Sequence, residues 1–185
     1  MDSWVDGQPA DTLSLKDRGL AYGDGLFETI AVHDGQPVLL DRHMTRLADG
    51  CSRPAIAADI EMIRHELLSY AAAMDEGVLK LILTRGDGLR GYAPDPAAPG
   101  RRILQGNPPA AYPAAHAEHG IRLFPCNTRL SRQPLLAGLK HLNRLEQVLA
   151  SAEWQDGEHA EGLMLDQAGR VIEGEFSNVL LVHDG

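Results

Sequence analysis

Leu26-Phe27-Glu28-Thr29-Ile30-Ala31-Val32-His33-Asp34-Gly35-Gln36-Pro37-Val38-Leu39-Leu40-Asp41 decides the architecture of the first half of the chain. Residues 26–33 are rich in β-branched and aromatic side chains and predict a strand. Asp34-Gly35 is a favoured pair for a tight hairpin, because both residues tolerate positive φ. A returning strand is therefore expected over residues 37–40. Asp41 follows it, and its carboxylate can accept from the first amides of a helix. That helix is expected to run through His43, Met44, Leu47 and Ala48.

Working outward, residues 2–6 and 11–15 alternate loosely and are expected to form short strands. Asp59 is a second capping residue. Ile60, Ile63, Leu67, Leu68 and Ala71 after it fall on one helical face, with Gly77 as the stop. Residues 78–84 form an apolar run expected as a buried strand. Residues 86–100 hold four Gly and three Pro and predict an irregular loop before a strand at 101–105. Residues 107–115 (NPPAAYPAA) are Pro- and Ala-rich without periodicity and are expected as a linker.

A second unit is expected from about Gly120, with a strand at 121–125. Leu142, Leu145, Val148, Leu149 and Ala152 mark a helix face, and residues 162–166, 171–172 and 178–183 read as strands. Asp166–Gly169 is a turn. Strands and helices mix without regular βαβ alternation, so the class is α+β. The expected division is a domain over 1–106, a linker over 107–118 and a second domain over 119–185. A strand followed by His183-Asp184-Gly185 invites a returning strand, so the second domain reads as incomplete.

Composition narrows the function. The 185 residues are 44% hydrophobic but only 5% aromatic, so the core is expected to be aliphatic. Seventeen Lys and Arg against 26 Asp and Glu give a net charge of −9, which argues against bulk-charge binding of nucleic acid or anionic membrane. No apolar run is long enough to span a bilayer, and the N-terminus lacks a signal-peptide pattern. A cytoplasmic location is the expectation. Cys51 and Cys126 lie far apart, which speaks against a disulfide framework or structural zinc. Fourteen of the cationic residues are Arg, so lysine chemistry has three candidates: Lys16, Lys80 and Lys140.

Gly86-Asp87-Gly88-Leu89-Arg90-Gly91 matches G-x-G-x-x-G literally. A dinucleotide site needs a helix immediately afterwards, and Tyr92-Ala93-Pro94-Asp95-Pro96 prevents one. The segment reads instead as a mobile loop, or as one presenting Arg85 and Arg90 to an anion. His116-x-x-His119 lacks a third ligand, and no metal is expected. Lys16 stands in a polar stretch, and the facing of Lys80 within its strand is undecided. Lys140 has apolar flanks. A desolvated amine there can act as a nucleophile toward a carbonyl, or it can simply extend to solvent. Glu173, near the end of a hairpin strand, is either solvated or paired with a cation.

These pieces fall in a familiar order. Asp17-Arg18-Gly19, Tyr22-Gly23-Asp24-Gly25-Leu26-Phe27-Glu28, His43-Met44-Thr45-Arg46-Leu47, Lys140-x-x-Asn143 and Glu173-Gly174-x-x-Ser177-Asn178 resemble the fold-type IV pyridoxal-phosphate enzymes. That group includes branched-chain and D-amino-acid aminotransferases and the aminodeoxychorismate lyases. Thr84-Arg85-Gly86-Asp87-Gly88-Leu89-Arg90-Gly91-Tyr92 and the segment from Ala137 to Gln147 are similar to the lyases. The resemblance implies a two-domain fold that continues beyond Gly185 and a homodimer.

It also implies pyridoxal 5'-phosphate carried covalently on Lys140. Arg46 is expected on its phosphate, Glu173 at the pyridine nitrogen, and Ser177 and Asn178 ordering the adjacent loop. Arg90, then Arg85, would bind the carboxylates of 4-amino-4-deoxychorismate, with Tyr92, Phe27 and Thr29 lining the site. The implied reaction gives 4-aminobenzoate and pyruvate on the folate pathway. An aminotransferase of the same fold and a non-catalytic anion-binding module are the alternatives.

Overall fold

The structure, a computed structural model, describes residues 2–155 and 157–183. The hairpin signal at Asp184-Gly185 lies outside the described residues. The chain divides into two compact units, Met1–Ala111 with Gly138–Leu142, and Tyr112–Ala137 with Asn143–Gly185. The segment holding Lys140 therefore groups with the first unit, although the sequence places it within residues 119–185.

The first unit is built on an antiparallel six-stranded sheet. Its strands are β1 (Trp4–Val5), β2 (Gln8–Pro9), β3 (Gly25–His33), β4 (Gln36–Pro37), β5 (Gly77–Thr84) and β6 (Arg101–Asn107), in the order β2-β1-β6-β5-β3-β4. The 11–15 stretch forms no strand. Helix α1 (Arg18–Tyr22) is capped by Asp17, whose Oδ1 accepts from Gly19 N at 2.8 Å. Along β3, Leu26, Glu28, Ile30 and Val32 are buried, while Thr29, Ala31 and His33 face out. Leu79, Leu81 and Leu83 of β5 continue the buried face, because antiparallel register sets Glu28 opposite Leu81 and Ile30 opposite Leu79.

Helices α2 (Leu40–Ser52) and α3 (Ile60–Met74) contribute to the same core through Met44, Leu47, Ile63, Leu67 and Tyr70. Asp59 caps α3 by accepting from Met62 N at 2.9 Å. Asp41 does not cap α2. The helix starts at Leu40, two residues earlier than a cap at Asp41 would set it, after Leu39 in the left-handed region (φ 55°), and Asp41 lies in the first turn, paired with Arg64 at 2.7 Å. Leu68 is 39% exposed, on the flank of the α3 face where Tyr70 takes the core position. The helix ends at Asp75, before Gly77, whose close approach to Asn107 O leaves no room for a Cβ.

The second unit has helix α4 (Ala115–His119), strand β7 (Leu123–Leu130), helix α5 (Leu145–Ser151) and strands β8 (Glu161–Asp166) and β9 (Val171–Gly174). β7 and β8 are parallel, and β8 and β9 antiparallel. Its core is Cys126, Ala150 and Met164, flanked by Phe124, Leu130 and Trp154. The apolar face of α5 is largely uncovered by the described residues. Leu145, Val148 and Leu149 are 69%, 59% and 54% exposed, and Ala150 is the helix residue that turns to the sheet. Residues 178–183 form no strand, since no ladder among the described residues receives them. Among the described residues no helix is long and apolar enough to cross a membrane.

Candidate active site

The Lys140 segment is held by β3. Phe27 N donates to Lys140 O at 2.8 Å, Leu142 N donates to Gly25 O at 3.1 Å, and Leu26 and His141 form an antiparallel bridge. Residues 140–142 thus lie along the start of β3, joined to it by an isolated bridge and not by a further strand. Gly25 permits the approach, since a Cβ there would sit 2.5 Å from Leu83 O and 2.7 Å from a Leu142 methyl. The Lys140 ammonium lies over the Phe27 ring, 4.6 Å from its centroid. Phe27 and Thr29 stand on the sheet face opposite the core.

The same face carries a cation whose orientation the sequence leaves undecided. Lys80 is registered opposite Thr29, and its amine is 5.7 Å from the Phe27 centroid. The β3–β5 pairing register decides this, and alternation within one strand does not reveal it. Phe27 is thus flanked by two of the three lysines.

On the core face, Glu28 is 1% exposed and accepts a fork from Arg46, with Nε–Oε1 at 2.8 Å and Nη2 on Oε2. His43 Nδ1 is 2.7 Å from Glu28 Oε2. His43 and Arg46 reach this carboxylate together because they lie three residues apart on α2. Burial alone would push the Glu28 carboxyl up, but the Arg46 and His43 contacts outweigh it and hold the carboxyl below its ordinary value. Glu28 in turn raises Arg46. Arg46 also lines a cavity of about 530 Å³ with Arg42, Asp49, Arg53, Gly138 and Leu139.

The expected substrate arginines differ in kind. Arg85 is 5% exposed, and its guanidinium is committed internally: Nε to Asp24 at 2.8 Å, and the Nη atoms to Ala55 O and Pro54 O at 2.8 and 2.7 Å. It anchors the loop after β5, with Nε and both Nη atoms engaged by Asp24, Ala55 and Pro54. Arg18 shares Asp24 and donates to Gly91 O and Tyr92 O at 3.1 and 2.8 Å. Burial disfavours the Asp24 charge, yet both guanidiniums hold its carboxyl below the ordinary value. The sequence gives no sign of this network. The loop's G-x-G-x-x-G stretch opens no helix. Arg90 is exposed on it, and Tyr92, 83% exposed, has its ring 5.3 Å from that of Tyr22.

In the second unit, Glu173 sits on β9 opposite Met164 and accepts from Gln147 Nε2 at 2.9 Å. Burial lowers the neighbouring Arg144, partly offset by the Glu173 charge. Ser177 and Asn178 are exposed. Ser177 O accepts from Gly174 N at 3.0 Å and closes the turn after β9. Buried Glu161 supports that turn, accepting from Glu175 N at 3.0 Å. Lys140, Arg46, Phe27 and Thr29 thus belong to the first unit, and Glu173, Ser177 and Asn178 to the second.

With this geometry in place, the chain belongs to the class IV amino-transferase family, which it matches over residues 25–185. Its α+β architecture is the fold-type IV aminotransferase-like fold. The crystal structure of 4-amino-4-deoxychorismate lyase from Pseudomonas aeruginosa is similar at 65% identity and a TM-score of 0.96, covering 98% of this chain and 67% of that one. Aminodeoxychorismate lyase of Vibrio harveyi is 37% identical over 98% of this chain and 67% of its own length. A putative branched-chain-amino-acid aminotransferase of Methanocaldococcus jannaschii is 31% identical over 94% of this chain and 61% of its own. The chain spans about two thirds of the length of these relatives.

Proposed function

We propose that this chain carries the site of an aminodeoxychorismate lyase, converting 4-amino-4-deoxychorismate into 4-aminobenzoate and pyruvate. The observation that carries the reading is the Lys140 amine over Phe27, on a segment hydrogen-bonded to β3 beside the Arg46 cavity. The residues fit pyridoxal 5'-phosphate: an amine for its aldehyde, and an arginine edge facing a cavity for its phosphate. When bound, the cofactor draws electrons from the substrate carbon that bears nitrogen.

Lys140 holds the cofactor and, once released by the substrate amine, takes the proton from that carbon at Nζ. Loss of the enolpyruvyl oxygen then leaves an aromatic ring. Glu173 is the carboxylate for the pyridine nitrogen, and Ser177 and Asn178 order the loop beside it. Arg90 on its exposed loop, with Lys80 beside Thr29, supplies positive charge for a substrate with two carboxylates. Tyr92, Phe27 and Thr29 line the site, and the working form is a homodimer. The 65% identity to the Pseudomonas aeruginosa lyase favours this reading over an aminotransferase.

Borohydride reduction of the chain with pyridoxal 5'-phosphate, followed by peptide mapping, tests it. A pyridoxyl adduct on the Lys140 peptide, absent in Lys140→Ala, is expected; an adduct elsewhere, or none, overturns the assignment. Pyruvate release without a keto-acid acceptor marks the lyase, and keto-acid-dependent amino exchange without 4-aminobenzoate would replace it with an aminotransferase.

A further inference from the structure

We propose that Glu28 is a positioning residue that sets the anion-binding edge of Arg46. The inference rests on the reading of Arg46 as the phosphate ligand. A guanidinium carries five N–H donors in one plane. Glu28 engages the edge formed by Nε and Nη2, and His43 Nδ1 lies 3.4 Å from Nη2, which leaves the Nη1 hydrogens away from the carboxylate. Arg46 is 48% exposed at its side chain and lines the cavity beside Gly138 and Leu139. Without Glu28 this long side chain would sample several rotamers at the surface of α2.

Glu28 itself cannot move away. It is 1% exposed, fixed in β3 opposite Leu81, and engaged by His43 at 2.7 Å as well as by Arg46. The carboxylate offsets one positive charge, which taken alone weakens attraction for an anion. Three arginines against two aspartates still line the cavity. The gain is geometric, since a bidentate partner holds the remaining donors in a single orientation before the anion arrives.

The test compares affinity for pyridoxal 5'-phosphate with affinity for pyridoxal, which lacks the phosphate. Each is titrated by absorbance on the 185-residue chain. The native chain is expected to prefer the phosphorylated form. Arg46→Ala and Glu28→Gln are each expected to reduce that preference about tenfold, with pyridoxal affinity unchanged. The double variant is expected to fall no further than Arg46→Ala.

A native preference retained in Glu28→Gln but lost in Arg46→Ala overturns the positioning role alone. A preference retained in both, or absent from the native chain, overturns the Arg46 reading as well. Should Glu28→Gln fail to fold, Glu28→Asp, one methylene shorter, is expected to show the same loss. In the ligand-free native chain the Arg46 Nε–H resonance should persist against solvent exchange; its absence means there is no fork and the proposal fails.

Discussion

The two units both pair buried carboxylates with donors but bury apolar surface very unequally, and among the described residues the buried side-chain polar atom left without a partner, Gln147 Oε1, lies in the second. In the first unit Asp17, Asp24 and Glu28 each meet arginine donors, and the core holds fifteen buried hydrophobic residues. In the second, Glu153 accepts from Thr128 N and Oγ at 2.7 and 2.6 Å and Glu161 supports the β9 turn, but the described core is three residues. Hydrogen bonds close locally, whereas burial needs a second layer. A net hydrogen bond contributes about 1 kcal/mol, against about 1.5–3 kcal/mol for a fully buried aliphatic side chain. The first unit is therefore expected to be the more stable part of this chain.

The largest effect that could break this comparison comes from truncating one leucine in each unit. Leu67 is fully buried in α3, and Leu67→Ala is expected to cost about 2–5 kcal/mol. Leu149→Ala, at a residue 54% exposed on α5, is expected to stay within about 0.5 kcal/mol. The two tryptophans, Trp4 and Trp154, lie one in each unit and report separately. In urea, Trp154 fluorescence (in Trp4→Phe) is expected to change at lower concentration than Trp4 fluorescence (in Trp154→Phe). Coincident transitions would show one cooperative body and remove the distinction.

The same contrast explains what the sequence revealed. β3, β5 and α3 were legible because alternation, an Asp-Gly turn and an Asp cap are local signals with local causes. The exposure of the α5 face was not legible, because apolar residues at helical spacing look alike whether or not anything covers them. Lys140, Arg46 and Glu173 were assigned by motif resemblance, which marks positions in the chain and not their surroundings. The ion-pair network was not legible, since Arg85 and Asp24 are 61 residues apart and no pattern links them. The internal anchoring of Arg85 was not legible because a fork of donors suits a substrate carboxylate and Asp24 equally.

A smaller effect appears on acidification. Asp24 and Glu28 both have folded carboxyl values below their ordinary 3.8 and 4.5. Lowered values mean that the unfolded chain binds protons first. Their contribution is thus complete above pH 4.5 and is lost as pH falls through the folded values. Unfolding monitored by Trp4 should therefore become easier below about pH 4. Glu28→Gln should flatten that dependence, and an unchanged slope would remove Glu28 as a source of it.

The smallest effect sets static exposure against unit stability. Cys51 in the first unit is 7% exposed, and burial pushes its thiol up to about 11; Cys126 in the second is 1% exposed and also raised by burial. Exposure alone predicts that iodoacetamide labels Cys51 first. Labelling of a buried thiol requires opening, however, and opening follows the local stability of the surrounding unit. Cys126 is therefore expected to react faster at neutral pH, by a factor set by the difference between the two units. Slower labelling of Cys126 would mean that hydrogen bonds around Glu153 and Glu161 hold the second unit as firmly as fifteen buried side chains hold the first.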